Sequence, residues 1–156
     1  MQRALMVTAG AVLAALATVA TAQAQSRVEI GVLTCTAKGS TGFIIGSTRD
    51  LRCRFSRQGR DEHYRATIDK FGLDIGSTKQ ATLSWTVLAP TSNVSPRSLI
   101  GTYAGVSAEA TVGLGVGANA LIGGSQRSIV LQPLSVQAQE GLNIAAGVSQ
   151  LRLASR

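Results

Sequence analysis

The chain has 156 residues, with 15 lysines and arginines against 8 acidic residues, a formal net charge of +7. A single histidine and two cysteines are too few soft ligands for a four-ligand zinc site without carboxylates. Six aromatic residues are too few for the interfacial girdles of an outer-membrane barrel, and none interleaves with the arginines as a stacking platform for nucleic acid would.

Met1 to Arg3 is a short basic start, and Ala4 to Ala22 carries no charge. Ala22-Gln23-Ala24 then supplies the small-x-small pattern of a signal-peptidase site, so residues 1–24 read as a secretory signal peptide. The apolar run is nearly long enough to span a bilayer, but alanine and threonine dominate it and it ends at the cleavage pattern. Cleavage would leave Gln25 to Arg156, a single domain of 132 residues with net charge +6, Arg3 being the one charge removed. No cysteine follows the cleavage site, so no lipid anchor is expected. The expected location is the periplasm or the exterior, with no membrane-spanning segment after cleavage.

Beyond the leader, alternation with a period of two prevails and capped helical periodicity is weak. Arg27 to Thr36 predicts a first strand, with Val28, Ile30 and Val32 on one side and Leu33 and Cys35 on the other. A turn at Lys38 to Gly42 leads to a second strand through Phe43, Ile44 and Ile45. Leu51 to Ser56 is a third strand, with Leu51, Cys53 and Phe55 inward and Arg52 and Arg54 outward. After a polar turn at Ser56 to Glu62, His63 to Asp69 places Tyr64, Ala66 and Ile68 on one face, and Phe71 to Ile75 continues it or adds a short segment. Ala81 to Ala89 turns Leu83, Trp85 and Val87 inward, and Pro90 to Pro96 is a loop.

From Tyr103 to Ala118, wholly apolar positions alternate with a set that is polar and then glycine. The expectation is a long strand, or two joined by a bend, whose far end has one face without side chains. Glycines there would mark close backbone approach, a bulge or strong curvature. Gly123-Gly124 makes a turn, Ser128 to Val136 a strand that Pro133 confines to an edge or bulge, and Leu142 to Leu153 a last alternating run. Ile45 to Arg49 resembles Ile75 to Lys79, which reads as one tight turn used twice. The fold class is therefore all-β, about eight short antiparallel strands in a small barrel or sandwich.

In an oxidising compartment Cys35 and Cys53 read as a disulfide joining two neighbouring strands, closing about 18 residues and contributing roughly 3 kcal/mol. Arg49, Arg52, Arg54, Arg57, Arg60 and Arg65 fall close together, against Asp50, Asp61 and Glu62. Such a concentration suits an anionic lipid surface or an acidic envelope polysaccharide, and equally a solvated strand face.

Catalytic chemistry finds few parts. His63 is the only base of its kind, and no G-x-S-x-G elbow surrounds a serine. Glu109 stands on the polar side of the glycine-rich run and is the one carboxylate placed to face a lumen, as a hydrolase would require. With Gly113, Gly115, Gly117 and Asn119 it forms a candidate ligand-facing set for a carrier of a small apolar molecule or lipid. Gly113 to Asn119 lacks G-x-G-x-x-G spacing, so no dinucleotide site is expected, nor any other cofactor or metal.

The blocks Gly31 to Cys35, Gly42 to Ser47, Leu51 to Phe55, Gly72 to Gly76, Leu83 to Val87, Gly113 to Asn119, Gly123-Gly124 and Leu131 to Ser135 follow one another in order. Together they resemble a family of small secreted Gram-negative bacterial proteins known only as a domain of unknown function. The resemblance spans nearly the whole chain after the leader. It implies export and paired cysteines and brings no activity. Gly113 to Asn119 alone is also similar to the glycine-rich segment of SYLF-type lipid-binding domains. The function expected is a non-enzymatic, envelope-related binding or structural role.

Overall fold

The computed structural model describes residues 26–37, 49–70, 81–134 and 148–156. Eight strands carry the fold: β1 Val28–Ala37, β2 Arg49–Arg57, β3 Arg60–Lys70, β4 Ala81–Ala89, β5 Gly101–Gly105, β6 Leu121–Gly123, β7 Ile129–Pro133 and β8 Val148–Ser155. One helix, α1, spans Ala108–Leu114 between β5 and β6, and a 3-10 turn covers Ser125–Arg127.

The strands close into an antiparallel barrel in the order β1-β2-β3-β8-β5-β6-β7-β4, with β4 returning to β1. Closure decides between the two architectures left open by strand count. It also removes the unpaired edges that a sandwich of short strands would expose.

Alternation sets the interior on the long strands. Leu51, Cys53 and Phe55 of β2, Tyr64, Ala66 and Ile68 of β3, and Leu83, Trp85 and Val87 of β4 are all buried, as their spacing predicts. Leu151 and Leu153 of β8 and Tyr103 of β5 join them. Eight strands enclose an interior that side chains can fill. Trp85 lies fully inside, and its indole Nε1 has no hydrogen-bond partner among the described residues. Such an orphan costs about 1–3 kcal/mol, which burial of the large ring offsets.

The first strand departs from simple alternation. Ile30 is buried, yet so are Leu33 and Cys35, which have the opposite parity. Val28 is exposed and Val32 half-buried. A register shift against β4 between Glu29 and Gly31 supplies the extra residue that resets the phase. Glycine is required at this bulge because a Cβ on Gly31 would stand 2.3 Å from the Ser56 carbonyl and 2.7 Å from the Phe55 ring. A period-two reading cannot see a bulge: Val28, opposite buried Ala89, keeps the side of Ile30 at the strand's end, whereas Val32, past the shift, is turned to the other side, opposite Thr86.

The β2–β3 hairpin is tighter than the predicted turn. Only Gln58 and Gly59, both at positive φ, lie between Arg57 and Arg60, which pair directly. Pro133 ends β7 opposite Trp85, beyond the last β6 pairing at Leu131, so its missing N–H leaves no gap in the ladder.

The main correction concerns the glycine-rich run. The long strand expected across Tyr103 to Ala118 ends at Gly105, and α1 follows. Ser107 caps the helix, its hydroxyl accepting from Ala110 N at 3.2 Å. Gly115 ends it in the left-handed conformation (φ 66°, ψ 32°), with Gly115 N donating to Val112 O and Val116 N to Thr111 O. Ala108, Glu109 and Ala110 favour helix, and a strand whose alternate positions are glycine gains little by pairing. The apolar alternation was thus a weaker signal than the cap at Ser107 and the stop at Gly115.

The expected segments Lys38 to Gly42, Phe43 to Ile45 and Phe71 to Ile75, both copies of the Ile-Gly-Ser-Thr echo apart from Arg49, and the beginning of the last run before Val148 lie outside the described residues.

Candidate functional site

The barrel's outer face is built by the residues between the inward ones. Arg52 of β2 lies directly opposite Arg65 of β3, and Arg54 opposite His63. On the next strand, Arg152 of β8 stands opposite Thr67, one diagonal step from Arg65. Arg52, Arg54, His63, Arg65 and Arg152 are exposed, and Thr67 is half-buried. Across β1, the same face continues with Thr34 opposite Arg54 and Thr36 opposite Arg52.

Like charges placed directly opposite each other across a ladder destabilise a sheet. The acids nearby neutralise only part of the face. Asp61 accepts from Arg54 at 3.4 Å and from the Ser56 hydroxyl at 2.9 Å, and Asp50 accepts from the Thr67 hydroxyl at 3.3 Å. Among the described residues Arg54–Asp61 is the one ion pair. Arg52, Arg65 and Arg152 therefore form a band of positive charge open to solvent.

The remaining arginines of the expected cluster serve elsewhere. Arg57 and Arg60 fall at the rim, on the parity of Phe55. Arg57 donates to Val94 O at 2.9 Å and Ser92 O at 2.8 Å, fastening the Pro90 to Pro96 loop across the barrel end, where Val94 packs against the core. Arg60 is exposed beside it, and Arg49 opens β2 opposite Ile68. The strand register, then, divides five of the six arginines close in sequence into an outer group, Arg52, Arg54 and Arg65, and a rim pair, Arg57 and Arg60. It adds Arg152, which sequence proximity could not reveal because it lies 87 positions beyond Arg65.

At the same end an open cleft of about 200 Å³ is lined by Glu62, His63, Tyr64, Pro96, Arg97 and Ser155. Glu62 Oε2 accepts from the Tyr64 hydroxyl and from Arg97 N, the latter at 3.2 Å. Burial first, and then the Glu62 hydrogen bond, push the Tyr64 phenol well above its usual range. Those bonds lock the Arg97 turn to β3.

The glycine-rich candidates sit apart from both regions. Glu109 lies in the first turn of α1, fully exposed, and its own backbone N–H and the Ser107 hydroxyl hold its carboxyl below the usual range. Gly113 is on the helix with nothing near its Cβ position, Gly115 is the cap, and Gly117 N donates to Gln132 Oε1 at 2.8 Å. Asn119 occupies an exposed turn at φ 60°. These residues form a capped helix and its exit; the expected face of a strand, lining a lumen, is not there. A serine followed by Ala-Glu-Ala, with a glycine eight positions on, was the signal for it.

Cys35 and Cys53 are bonded and buried, joining paired positions of β1 and β2. No helix among the described residues is long and apolar enough to cross a membrane. Among the described residues the barrel's large apolar side chains are buried inside, and Arg52, Arg54, Arg65 and Arg152 stand on its outer face, where a membrane-spanning barrel carries an apolar band.

Neither a curated protein nor a solved structure matches the chain. One family does, over residues 13–154, in keeping with blocks distributed along the whole domain: the chain belongs to the family described as Protein of unknown function (DUF992).

Proposed function

We propose that this chain is an exported, non-enzymatic β-barrel that docks on an anionic lipid surface of the cell envelope through the outer face of β2, β3 and β8. The observation that carries the reading is the direct opposition of Arg52 and Arg65, continued by Arg152, on an exposed face where Arg54–Asp61 is the one ion pair among the described residues. An arrangement that costs the sheet stability is compensated when an anion binds between the charges. The net charge of +6 that remains once residues 1–24 are removed adds long-range attraction of the same sign.

The carrier reading has less support, because inward side chains occupy the barrel. The hydrolase reading loses its carboxylate, because Glu109 stands in solvent on α1. Co-sedimentation with phosphatidylglycerol vesicles tests the proposal. Binding should exceed that to phosphatidylcholine vesicles and disappear in high salt. Substituting Arg52, Arg65 and Arg152 together by glutamate should abolish it. Salt-insensitive binding, or none to anionic vesicles, would refute docking by this face.

A further inference from the structure

We infer that the Arg52–Arg65 pair is a headgroup site selective for a membrane lipid that ends in a phosphomonoester. This deepens the docking reading and rests on it. Residues directly opposite across an antiparallel ladder have Cβ atoms roughly 5 Å apart, so two guanidinium groups from such positions can close on one small anion. Each guanidinium presents a planar fork of N–H donors that is best met by two oxygens. A phosphodiester offers two terminal oxygens and a single negative charge, enough for one fork. A phosphomonoester offers three terminal oxygens and a charge approaching −2, which two forks can share and which neutralises both arginines. A carboxylate or a sulfate monoester carries one charge and leaves one arginine of the pair uncompensated.

The neighbours restrict the site to the centre of the band. Arg54 is held by Asp61 at 3.4 Å, so it is already engaged on the side of His63. Thr67, opposite Asp50 on one side and Arg152 on the other, flanks the pair, so Arg152 adds a third charge one diagonal step from Arg65. Asp50 and Asp61 stand on either side of Arg52 and Arg65, so a chain of carboxylates laid along the strands would meet them. A single headgroup approaching along the normal to the sheet avoids both. That direction of approach, onto an exposed sheet face, favours a membrane as the source of the phosphate.

The test compares the wild-type protein with Arg52→Lys and Arg65→Lys, which keep the charge and remove the fork. Affinity is measured for phosphatidylcholine vesicles containing either phosphatidic acid or phosphatidylglycerol, adjusted to equal zeta potential. Thermal melting confirms that the variants are folded. The expected result is roughly tenfold tighter binding to phosphatidic acid, lost in either lysine variant while binding to phosphatidylglycerol is kept. Equal affinity for the two vesicles would overturn the phosphomonoester site and leave the docking reading standing. No binding to either would overturn both. Free glycerol phosphate should fail to displace the protein at the concentration of accessible lipid phosphate; efficient displacement would assign the site to a soluble ligand and overturn the membrane source.

Discussion

The wall made by β4, β1, β2, β3 and β8 and the wall made by β5, β6 and β7 complete one barrel by different means. Strands of the first are 8 to 11 residues long, and those of the second 3 to 5. The long wall is stabilised by inward side chains of full size, among them Phe55, Tyr64, Ile68 and Trp85, and by the disulfide. The short wall depends on side chains that replace missing ladder. Gln132 of β7 accepts from Gly117 N at 2.8 Å and donates to Ala118 O at 3.2 Å, beyond the point where β6 pairs. Tyr103 of β5 bonds Leu99 O at 2.7 Å and so ties the loop after β4 to the barrel. Regular pairing leaves the long wall's outer face free to carry unbalanced charge, whereas the short wall spends its polar groups on its own backbone.

Alkali gives the largest test of whether the walls fail together. Tyr64 in the long wall and Tyr103 in the short one are the only tyrosines. Burial raises both phenols above their ordinary value of 10.0, Tyr64 further through Glu62. The folded state therefore binds these protons more tightly than the unfolded chain. Their contribution is complete below pH 10 and declines as pH rises above it. Tyrosinate absorbance should appear in one step coincident with loss of circular dichroism. A phenol that ionises early, in a folded barrel, would separate the walls.

Truncation of Phe55 to alanine should cost about 3–5 kcal/mol in denaturant unfolding, since it empties a buried site and uncovers Gly31. A cost near 1 kcal/mol would show that the long wall collapses to fill the space. Reduction of Cys35–Cys53 should remove roughly 3 kcal/mol for a separation of 18 residues, read as a lower melting temperature. Identical melting with and without reductant would deny the bridge a stabilising role.

The short wall should respond more weakly. Gln132→Ala should lose about 1 kcal/mol as Gly117 N and Ala118 O lose their partner. The smallest effects distinguish two glycines. Gly113→Ala, in open space on α1, should be neutral or stabilise by about 0.5–1 kcal/mol, while Gly115→Ala, at φ 66°, should destabilise by about 1 kcal/mol. Equal effects at the two positions would contradict the helix and its cap.

Legibility in the sequence followed the same division. Leu51, Cys53 and Phe55 announced their inward face because bulky residues alternated with arginines, and the structure buries all three. At Gly31 one inserted residue reversed the phase, a local event that periodicity averages away. Across 103–118 the alternation was real, but half of its apolar face was alanine and its other face was glycine from Gly113 on, too little side chain to hold a strand, and local capping at Ser107 prevailed. The candidate site was half visible. Arg52, Arg54 and Arg65 stood out by proximity, whereas Arg152 joined them only through the β3–β8 register.

By itself, the order of residues determined an all-β domain, the inward faces of β2, β3 and β4 and the pairing of its two cysteines, because these depend on local patterning along the chain. Closure into a barrel, the division of the arginines between outer band and rim, and the recruitment of Arg152 were decided by tertiary structure. They depend on which strands become neighbours, and that is set by the collective burial of side chains distant in sequence.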